Sequence, residues 1–465
     1  MELTQAIRQN PMSRYQWLVV AICILITMVD GYEILVTSYA LPALTEEWAL
    51  SNGQQGLVAS LGTLGMGVGA IFLSPLADRI GRRRHIIGAM VLITVFMSLS
   101  GMASSFETFL VFRFISGLFL GAIVPSVNVL VAEFCNQTRR GAVMGVYGIG
   151  LPLGAALGGF LSVWLIDSFT WRGPFFFSAI LTALLVLLSA AVLPESVSFL
   201  VGKRPKGALR SYNRIAARIG VAPAAALPPA PVRAASATFA RGLFQGIMLP
   251  RTLLLWLAYG TLIASFYFAN SLTAKLVAET TGDPEFGITA QSLVAAGGVV
   301  GALLFALLAR WIHPRLVTGL VMVAGFGIFF AFANYFTNNT MVLILAVLVG
   351  LAVNGGLAAY YAISPSIYSL AIRSAAVGLM MGLGRAIAFF APNIATALQS
   401  RGFSPEDLYR LYGGVLAVSA VAVVALHLTY RGQKDAMDLE DAEERALDEA
   451  RAAQPADGRP VEAAH

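Results

Sequence analysis

The sequence carries little charge, few histidines and almost no cysteine. Only 12% of its 465 residues are charged, about half the share in soluble domains, whereas 57% are apolar. This balance excludes a soluble enzyme and a disordered chain. The two cysteines, Cys23 and Cys135, lie in apolar segments, which excludes a disulfide-stapled fold. The four histidines lack metal-ligand spacing and no glycine-rich loop ends in Gly-Lys-Ser/Thr, so we expect neither a metal site nor ATP hydrolysis.

The apolar residues form long blocks that match membrane helices. A helix needs about 20 apolar residues to cross a hydrocarbon core of about 30 Å. The first block, 17–41, is too long for a signal peptide and has no cleavage pattern after it, so we expect it to stay in the mature protein. The sequence therefore predicts an all-α membrane protein with twelve transmembrane helices. The predicted spans are residues 17–41, 53–73, 86–105, 108–133, 141–166, 174–194, 250–275, 288–309, 316–336, 341–364, 374–399 and 411–430.

The charges outside these spans predict the orientation. With alternating spans, the side of the N-terminus receives twenty basic and four acidic residues, against four basic and nine acidic residues on the other side. Because Lys and Arg in short loops mark the cytoplasmic side, we expect both termini to be cytoplasmic. The sequence thus predicts a multi-pass protein of the inner (cytoplasmic) membrane.

The longest connection divides the chain into two halves. Residues 195–249 are basic at first and then rich in Ala and Pro, which predicts a poorly ordered cytoplasmic linker. It separates a six-helix half, 1–194, from a second one, 250–430. Residues 431–465 hold five basic and ten acidic side chains and predict an acidic, solvated cytoplasmic tail.

A faint internal repeat relates the halves. The stretch RRGAV at 139–143 opens span five, and RSAAV at 373–377 opens span eleven, the corresponding place in the second half. Two parallel six-span halves with a binding site between them are typical of one class of transporters.

Glycines crowd the second span. Gly62, Gly65, Gly67 and Gly69 resemble a dinucleotide-binding loop in spacing, but no strand precedes them. We interpret them as positions where helices pack closely, because small residues let helix backbones approach each other in membranes.

Four ionisable side chains lie clearly inside the spans, away from the span ends: Asp30, Glu33, Arg113 and Arg385. Each costs about 2.5–3.5 kcal/mol at a helix centre on insertion scales, so such groups normally face a cavity or a partner. Asp30 and Glu33 share one helix face, and Arg113 lies at a similar depth. We expect the two carboxylates to bind and release the coupling protons, with Arg113 stabilising whichever is ionised. A purely structural pair of Asp30 with Arg113 is the alternative.

Arg385 is the one cation that we place near the middle of the membrane. A guanidinium offers two parallel donors to a carboxylate, so we expect Arg385 to bind a substrate carboxylate. Spans seven and ten could supply aromatic walls and hydrogen bonds around it, although ordinary helix packing is an equal alternative for each residue. These candidates are Tyr259, Phe266, Tyr267, Asn354, Tyr360 and Tyr361.

The stretch DRIGRRR at 78–84, between spans two and three, resembles the signature of the major facilitator superfamily, with Ser74 where that family usually has glycine. Arg113 with Gly117, Glu133 with Arg140, and the sequence Pro-Glu-Ser at 194–196 match further motifs of that family. The resemblance implies a cytoplasmic group that locks one state of the transport cycle, with Asp78 near the start of span eleven. The residues implied are Asp78, Arg79, Gly81, Arg82, Arg83, Glu133, Arg139, Arg140 and Glu195.

Within that superfamily the sequence is similar to the aromatic acid:proton symporter family. The stretches concerned are 30–33, 40–44, 113–125 and 382–385. Glu33 replaces the second aspartate of the family pattern, and span eleven lacks the family's glycine-rich segment with proline.

The resemblance implies a proton-coupled symporter that imports a small aromatic carboxylate by alternating access. It implies a monomer in the lipid bilayer, with H⁺ as coupling ion, no cofactor and no nucleic-acid partner. A sugar or polyol porter of the same fold is the main alternative, favoured by Glu133 with Arg140 and by the 194–196 stretch. A membrane-embedded enzyme or sensor is a second alternative, for which the sequence offers no nucleophile–base or metal constellation.

Overall fold

The computed structural model describes residues 3–228, 243–244, 246–309, 311–368 and 370–430. Throughout these ranges the regular structure is helical. The predicted acidic tail, 431–465, and residues 229–242 of the predicted linker lie outside the described residues.

Long helices make up both halves of the chain. The first half contains α1 (Arg14–Trp48), α2 (Asn52–Phe72), α3 (Arg82–Gly101), α4 (Phe106–Phe134), α5 (Arg140–Phe169) and α6 (Gly173–Val192). The second half contains α7 (Met248–Thr281), α8 (Pro284–Leu308), α9 (Pro314–Asn334), α10 (Asn339–Ile367), α11 (Leu370–Gln399) and α12 (Pro405–Leu428).

Within the described ranges, eleven segments are long and apolar enough to cross a membrane, and one of them, Val143–Val192, covers most of α5 and all of α6. A 3₁₀ turn at Thr170–Arg172 separates those two helices. The exposed outer surface carries large apolar side chains such as Leu187 and Val421. The predicted all-α membrane architecture is confirmed, whereas the count of twelve spans stays a prediction.

Capping residues begin several helices. Ser13, Ser51 and Ser404 each accept from the backbone N–H three residues on and form capping boxes. The predicted end of the first span at residue 41 does not mark the end of the helix: α1 continues past Pro42 to Trp48. The apolar pattern indicates where the apolar residues of the span end, whereas the helix continues as long as its backbone hydrogen bonds do.

The two halves have the same packing scheme. In the first, α1 packs on α5, α2 on α4, and α3 on α4 and α6; in the second, α7 packs on α11, α8 on α10, and α9 on α10 and α12. The halves meet mainly where α2 packs on α11 and α5 on α8, and α1 also contacts α7. The faint sequence repeat therefore corresponds to a repeated helix arrangement.

Glycines let α2 and α4 approach closely. A methyl group on Gly65 or Gly69 would overlap backbone atoms of Phe114 or Leu118 in α4. Gly117 and Gly121 of α4 face α2 in the same way. The interpretation of the α2 glycines as packing positions agrees with this geometry, and the absence of a strand before them removes the dinucleotide-loop alternative.

The segment after α6 is more ordered than predicted. It forms two short helices, Val197–Lys203 and Ala208–Ile219, so the expectation of a poorly ordered linker is wrong for this part. In the second helix, Tyr212 and Ile215 are buried beneath the first half, and the Leu3 N–H donates to the Tyr212 hydroxyl at 3.1 Å. Its apolar residues recur at helical spacing on the side opposite its arginines, which is typical of an amphipathic helix. The prediction of a poorly ordered linker gave more weight to the Ala/Pro-rich run that follows.

Candidate functional site

A central cavity lies between the two halves. It contains about 790 Å³ of space between protein atoms, part of it open to the surroundings. α1, α2 and α5 form one wall, and α7, α8, α10 and α11 form the other. Of the predicted substrate-binding residues, the cavity wall includes Tyr259, Phe266, Tyr267, Asn354, Tyr361 and Arg385.

Arg385 is half-buried in this wall. Its Nη1 lies 3.2 Å from the Tyr267 hydroxyl oxygen and 4.0 Å from the sulfur of Met66, on the opposite half. Within the described ranges it is the one charged side chain that lines the cavity, and no described carboxylate forms a salt bridge with it. The guanidinium is therefore positioned to receive an anion.

Aromatic rings surround this cation. The Phe266 and Tyr267 ring centroids are 5.0 Å apart in an edge-to-face arrangement, and those of Tyr259 and Tyr361 are 6.4 Å apart. A methyl group on Gly384 would approach the Tyr259 ring to 2.6 Å, so this glycine lets the ring lie against α11. The cavity thus combines apolar ring faces with hydroxyl groups and one positive charge.

Tyr360 is the exception among the predicted cavity residues. It is fully buried inside the second half, its hydroxyl oxygen lies 2.8 Å from Ser419 Oγ, and its ring packs against Tyr259. Consecutive helix residues point about 100° apart, so Tyr361 faces the cavity and Tyr360 does not. Tyr360 therefore supports a wall residue and does not contact the cavity.

The two carboxylates of α1 face the interior of the first half. Gly31, Ile34 and Leu35 line the central cavity, whereas Asp30 and Glu33 line a smaller apolar cavity between α1, α3, α4 and α6. Both carboxylates are at least 95% buried. One helix therefore presents one face to the central cavity and its two acids to the other side.

Hydroxyl groups of α6 hold Glu33. Its Oε1 accepts from Ser178 Oγ at 2.8 Å and from Thr182 Oγ1 at 2.6 Å. Asp30, in contrast, has an Oδ1 with no hydrogen-bond partner among the described residues. Because an ionised carboxylate without partners is costly to bury, this position favours a carboxyl that carries a proton. Sequence reasoning did not single out Ser178 and Thr182, whose pairing with Glu33 depends on helix packing.

Arg113 lies beside Glu33 without an ion pair. Its Nη2 donates to the main-chain carbonyl oxygen of Glu33 at 3.1 Å, and its guanidinium lies 5.7 Å from the centroid of the Phe175 ring. Its Nε has no hydrogen-bond partner in the described part of the chain. The alternative of a structural Asp30–Arg113 ion pair is therefore not what the geometry contains.

Small cavities lie between these groups and the central one. Arg113 borders a cavity whose other lining residues include Ile34, Ala59 and Thr63, which also line the central cavity. Leu120 separates that cavity from the one that holds Asp30 and Glu33. The buried charges are thus one or two side chains away from the central cavity.

The motif at 78–84 forms a charge cluster with α4 and the end of α6. Arg82 Nη1 lies 3.2 Å from Glu133 Oε1 and also bonds the Ser196 hydroxyl, and Arg82 Nη2 lies 3.5 Å from Asp78 Oδ1. The backbone N–H of Arg83 donates to Glu195 Oε1 at 3.1 Å. The cluster ties the start of α3 to the ends of α4 and α6.

Gly81 and the remaining predicted gating residues differ in their placement. Gly81 has φ of 100°, and a methyl group there would overlap the Glu195 carboxylate. Arg79, Arg139 and Arg140 are exposed, and Glu133 bonds Arg82 and Ser196, not Arg140. Asp78 is 59% exposed. Its expected neighbour, the start of span eleven at 370–375, has no described side chains.

The two halves are fastened at the end of the bundle opposite this cluster. The buried Lys275 of α7 donates to Asn52 Oδ1 of α2 at 3.3 Å and also to Gln399 of α11, and lies 3.5 Å from Glu279. Nearby, Asn393 Nδ2 donates to Ser60 Oγ at 2.7 Å across the interface. We call the contacts of Lys275 with Asn52, Gln399 and Glu279 the Lys275 clamp. It was not predicted from the sequence, in which the one available signal was a lysine at the end of an apolar run.

Comparison with known proteins agrees with this architecture. Residues 21–392 match the profile of the Major Facilitator Superfamily. The 4-hydroxybenzoate transporter PcaK of Acinetobacter baylyi is 31% identical over 423 residues, which cover 90% of this chain and 92% of that protein. The gallate transporter of Pseudomonas putida is 28% identical over 427 residues, with 90% and 93% covered.

The fold also matches solved structures. The partially occluded inward-open form of the xylose transporter XylE from E. coli has a TM-score of 0.67 at 14% identity, with 88% of this chain and 98% of that chain covered. The family expected from the motifs is confirmed, and the membrane-embedded enzyme is excluded. The chain belongs to the Major Facilitator Superfamily and is a multi-pass membrane transporter.

Proposed function

We propose that this transporter is a proton-coupled symporter that imports a small aromatic carboxylate by alternating access. The observation that carries the proposal is Arg385: a cation in the wall of the central cavity, bonded to Tyr267, surrounded by aromatic rings and without a carboxylate partner in the described part of the chain. The relatives that transport 4-hydroxybenzoate and gallate support the substrate class.

Each part of such a substrate has a matching element. The guanidinium of Arg385 binds the carboxylate, because charge-assisted hydrogen bonds to a fork of donors are strong and directional. The ring lies among Tyr259, Phe266 and Tyr361, where apolar faces replace water. Asn354 and the tyrosine hydroxyls are available for polar substituents on the ring.

Asp30 and Glu33 carry the coupling protons in this proposal. The apolar surroundings of Asp30 favour its protonated form, and the hydroxyls of Ser178 and Thr182 hold the Glu33 carboxylate. A monoanion that moves with one proton carries no net charge across the membrane. A second proton makes transport electrogenic, worth about 2.3 kcal/mol per 100 mV.

The conformational cycle follows from where the halves are fastened. We propose twelve spans with both termini cytoplasmic, which puts the Lys275 clamp on the outside and the 78–84 cluster on the inside. The clamp then closes the outer gate, and the cluster controls passage to the outward-facing state. Because the proposed pathway lies within one chain, a monomer in the inner membrane is sufficient for transport.

The sugar or polyol porter is the weaker reading. A neutral substrate would leave the Arg385 guanidinium in the cavity without an anionic partner. The likeness to XylE, at 14% identity, concerns the fold alone.

Uptake into proteoliposomes tests the proposal. Labelled 4-hydroxybenzoate is offered with an acidic exterior, with and without an uncoupler, and its methyl ester and xylose serve as neutral competitors. We expect accumulation that the uncoupler abolishes and neither neutral compound inhibits. Accumulation that persists with the uncoupler would refute proton coupling, and inhibition by xylose alone would favour the sugar porter.

A further inference from the structure

A second large cavity lies away from the central one, at the end of the bundle that carries the 78–84 cluster. It is a groove of about 900 Å³, part of it open to the surroundings, between the start of α3, the end of α6 and the two short helices at 197–203 and 208–219. Five basic residues line it: Arg83, Arg84, Lys206, Arg214 and Arg218. Glu195 is the one acidic residue of the described lining.

The positive charge of this groove exceeds what its one described carboxylate can neutralise. Glu195 Oε1 already accepts from the backbone N–H groups of Arg83 and Ser196. Arg218 donates to the Tyr15 hydroxyl at 3.1 Å and lies over its ring. Arg83 donates to the Leu193 carbonyl oxygen at 2.8 Å. Arg83 and Arg218 therefore have neutral hydrogen-bond acceptors, and their positive charges remain in the groove.

Three further cations are available to a ligand. Arg84, Lys206 and Arg214 are exposed, and none of them forms a hydrogen bond or salt bridge with another described residue. Three positive groups around one open space suit a ligand that carries a phosphate.

The groove is continuous with the membrane-facing surface. Ala191 lines the groove and is exposed, and Leu187 and Leu184, one and two turns earlier on α6, are 68% and 57% exposed. Leu193 and Phe199 form part of its floor. The exposed apolar surface of α6 therefore extends to the edge of the basic groove.

We propose that this groove binds the headgroup of an anionic phospholipid, whose acyl chains lie along the exposed face of α6. The phosphate lies among Arg84, Lys206 and Arg214, at the level where α6 leaves the hydrocarbon core. Basic pockets beside transmembrane helices attract anionic headgroups in this way. The adjoining apolar face distinguishes a lipid from a soluble phosphate, which would contact the charges alone.

The test compares two variants of the full-length purified protein. Lys206→Gln/Arg214→Gln removes two groove cations that support no described contact, and Arg210→Gln removes an exposed cation of the same helix that lies outside the groove lining. Binding of a fluorescent phosphatidylglycerol is titrated in detergent, with phosphatidylcholine and inorganic phosphate as competitors. We expect the double variant to bind about 25-fold more weakly, since each cation near an anionic headgroup contributes roughly fivefold. Arg210→Gln should bind like the unchanged protein.

Two outcomes would overturn the proposal: undiminished phosphatidylglycerol binding in the double variant, or displacement of the lipid by phosphatidylcholine or inorganic phosphate at equal concentration. If the double variant unfolds at a lower temperature without lipid, the charge-conserving Lys206→Arg/Arg214→Lys variant replaces it. That variant should retain binding, and its failure to bind would likewise contradict a site defined by charge.

Discussion

Arg113 donates to the backbone carbonyl of Glu33, not to its carboxylate, which two hydroxyls of α6 hold instead. The guanidinium is thereby anchored to α1, and in the proposed role the Glu33 carboxylate can exchange a proton without breaking an ion pair. This relationship distinguishes the buried charges of the first half from a structural salt bridge, whose removal would be strongly destabilising.

Asp30→Asn should abolish uphill accumulation and retain downhill exchange, because exchange does not require release of the proton. Glu33→Gln should weaken coupling less, because Asp30 remains to carry a proton and Ser178 and Thr182 can still donate to the amide oxygen, which preserves the local packing. Substrate-induced current on supported membranes, together with counterflow in proteoliposomes, separates the two effects. Undiminished proton-driven accumulation in the Asp30→Asn/Glu33→Gln double variant would show that other groups carry the protons.

Arg385→Lys should raise the half-saturation concentration about tenfold or more while the protein still reaches the membrane. A hydrogen bond to a charged group contributes roughly 1.5–3 kcal/mol, and lysine lacks the two parallel donors. Arg410→Lys is a matched control, because Arg410 bonds Asp407 and Asn334 at the surface. Initial rates of uptake across substrate concentrations provide the measurement. An unchanged half-saturation concentration in Arg385→Lys would contradict the assignment.

Tyr361→Phe and Tyr360→Phe remove the same atom from neighbouring residues and should differ in effect. Tyr361 lines the cavity, so its variant should change affinity among ring-substituted substrates with stability preserved. Tyr360 bonds Ser419 in the core, so its variant should lose about 1 kcal/mol of stability and keep its affinity. Thermal unfolding and competition binding measure both. A loss of stability in Tyr361→Phe together with a change of affinity in Tyr360→Phe would contradict these assignments.

Lys275→Gln should open the outer gate. The amide replaces a buried cation that contacts Asn52, Gln399 and Glu279, so the outward-facing population should rise. A cysteine introduced at Thr63, in the cavity wall, should then react faster with an impermeant thiol reagent added outside. Lys203→Gln, at the other end of the bundle, serves as the control. Equal labelling rates in both variants would argue against the clamp.

Asp78→Asn should slow uptake and leave equilibrium substrate binding unchanged. Asp78 is exposed and bonds Arg82 alone among the described residues, far from the central cavity lining. Binding is measured by titration of the detergent-purified protein and uptake by initial rates. A large loss of binding would move Asp78 into the substrate site.

Much of the site was predictable because its signals are local. Apolar runs located the long helices, and the cost of a buried charge singled out Arg385 and Glu33. The orientation of Tyr360 was not predictable, since a shift of one residue along a helix decides which ring faces the cavity. The partners of Arg82 and Lys275 were not predictable either, because Glu133 and Asn52 are distant in sequence and meet them through packing between helices.

The division of roles between the two halves has a consequence for how such transporters diversify. In the proposed roles, the groups that recognise the substrate, such as Tyr267 and Arg385, come mainly from the second half, whereas Asp30 and Glu33, which take the protons, belong to the first. Substitutions confined to α7, α10 and α11 can therefore give a lineage a new nutrient while its energy source is inherited unchanged.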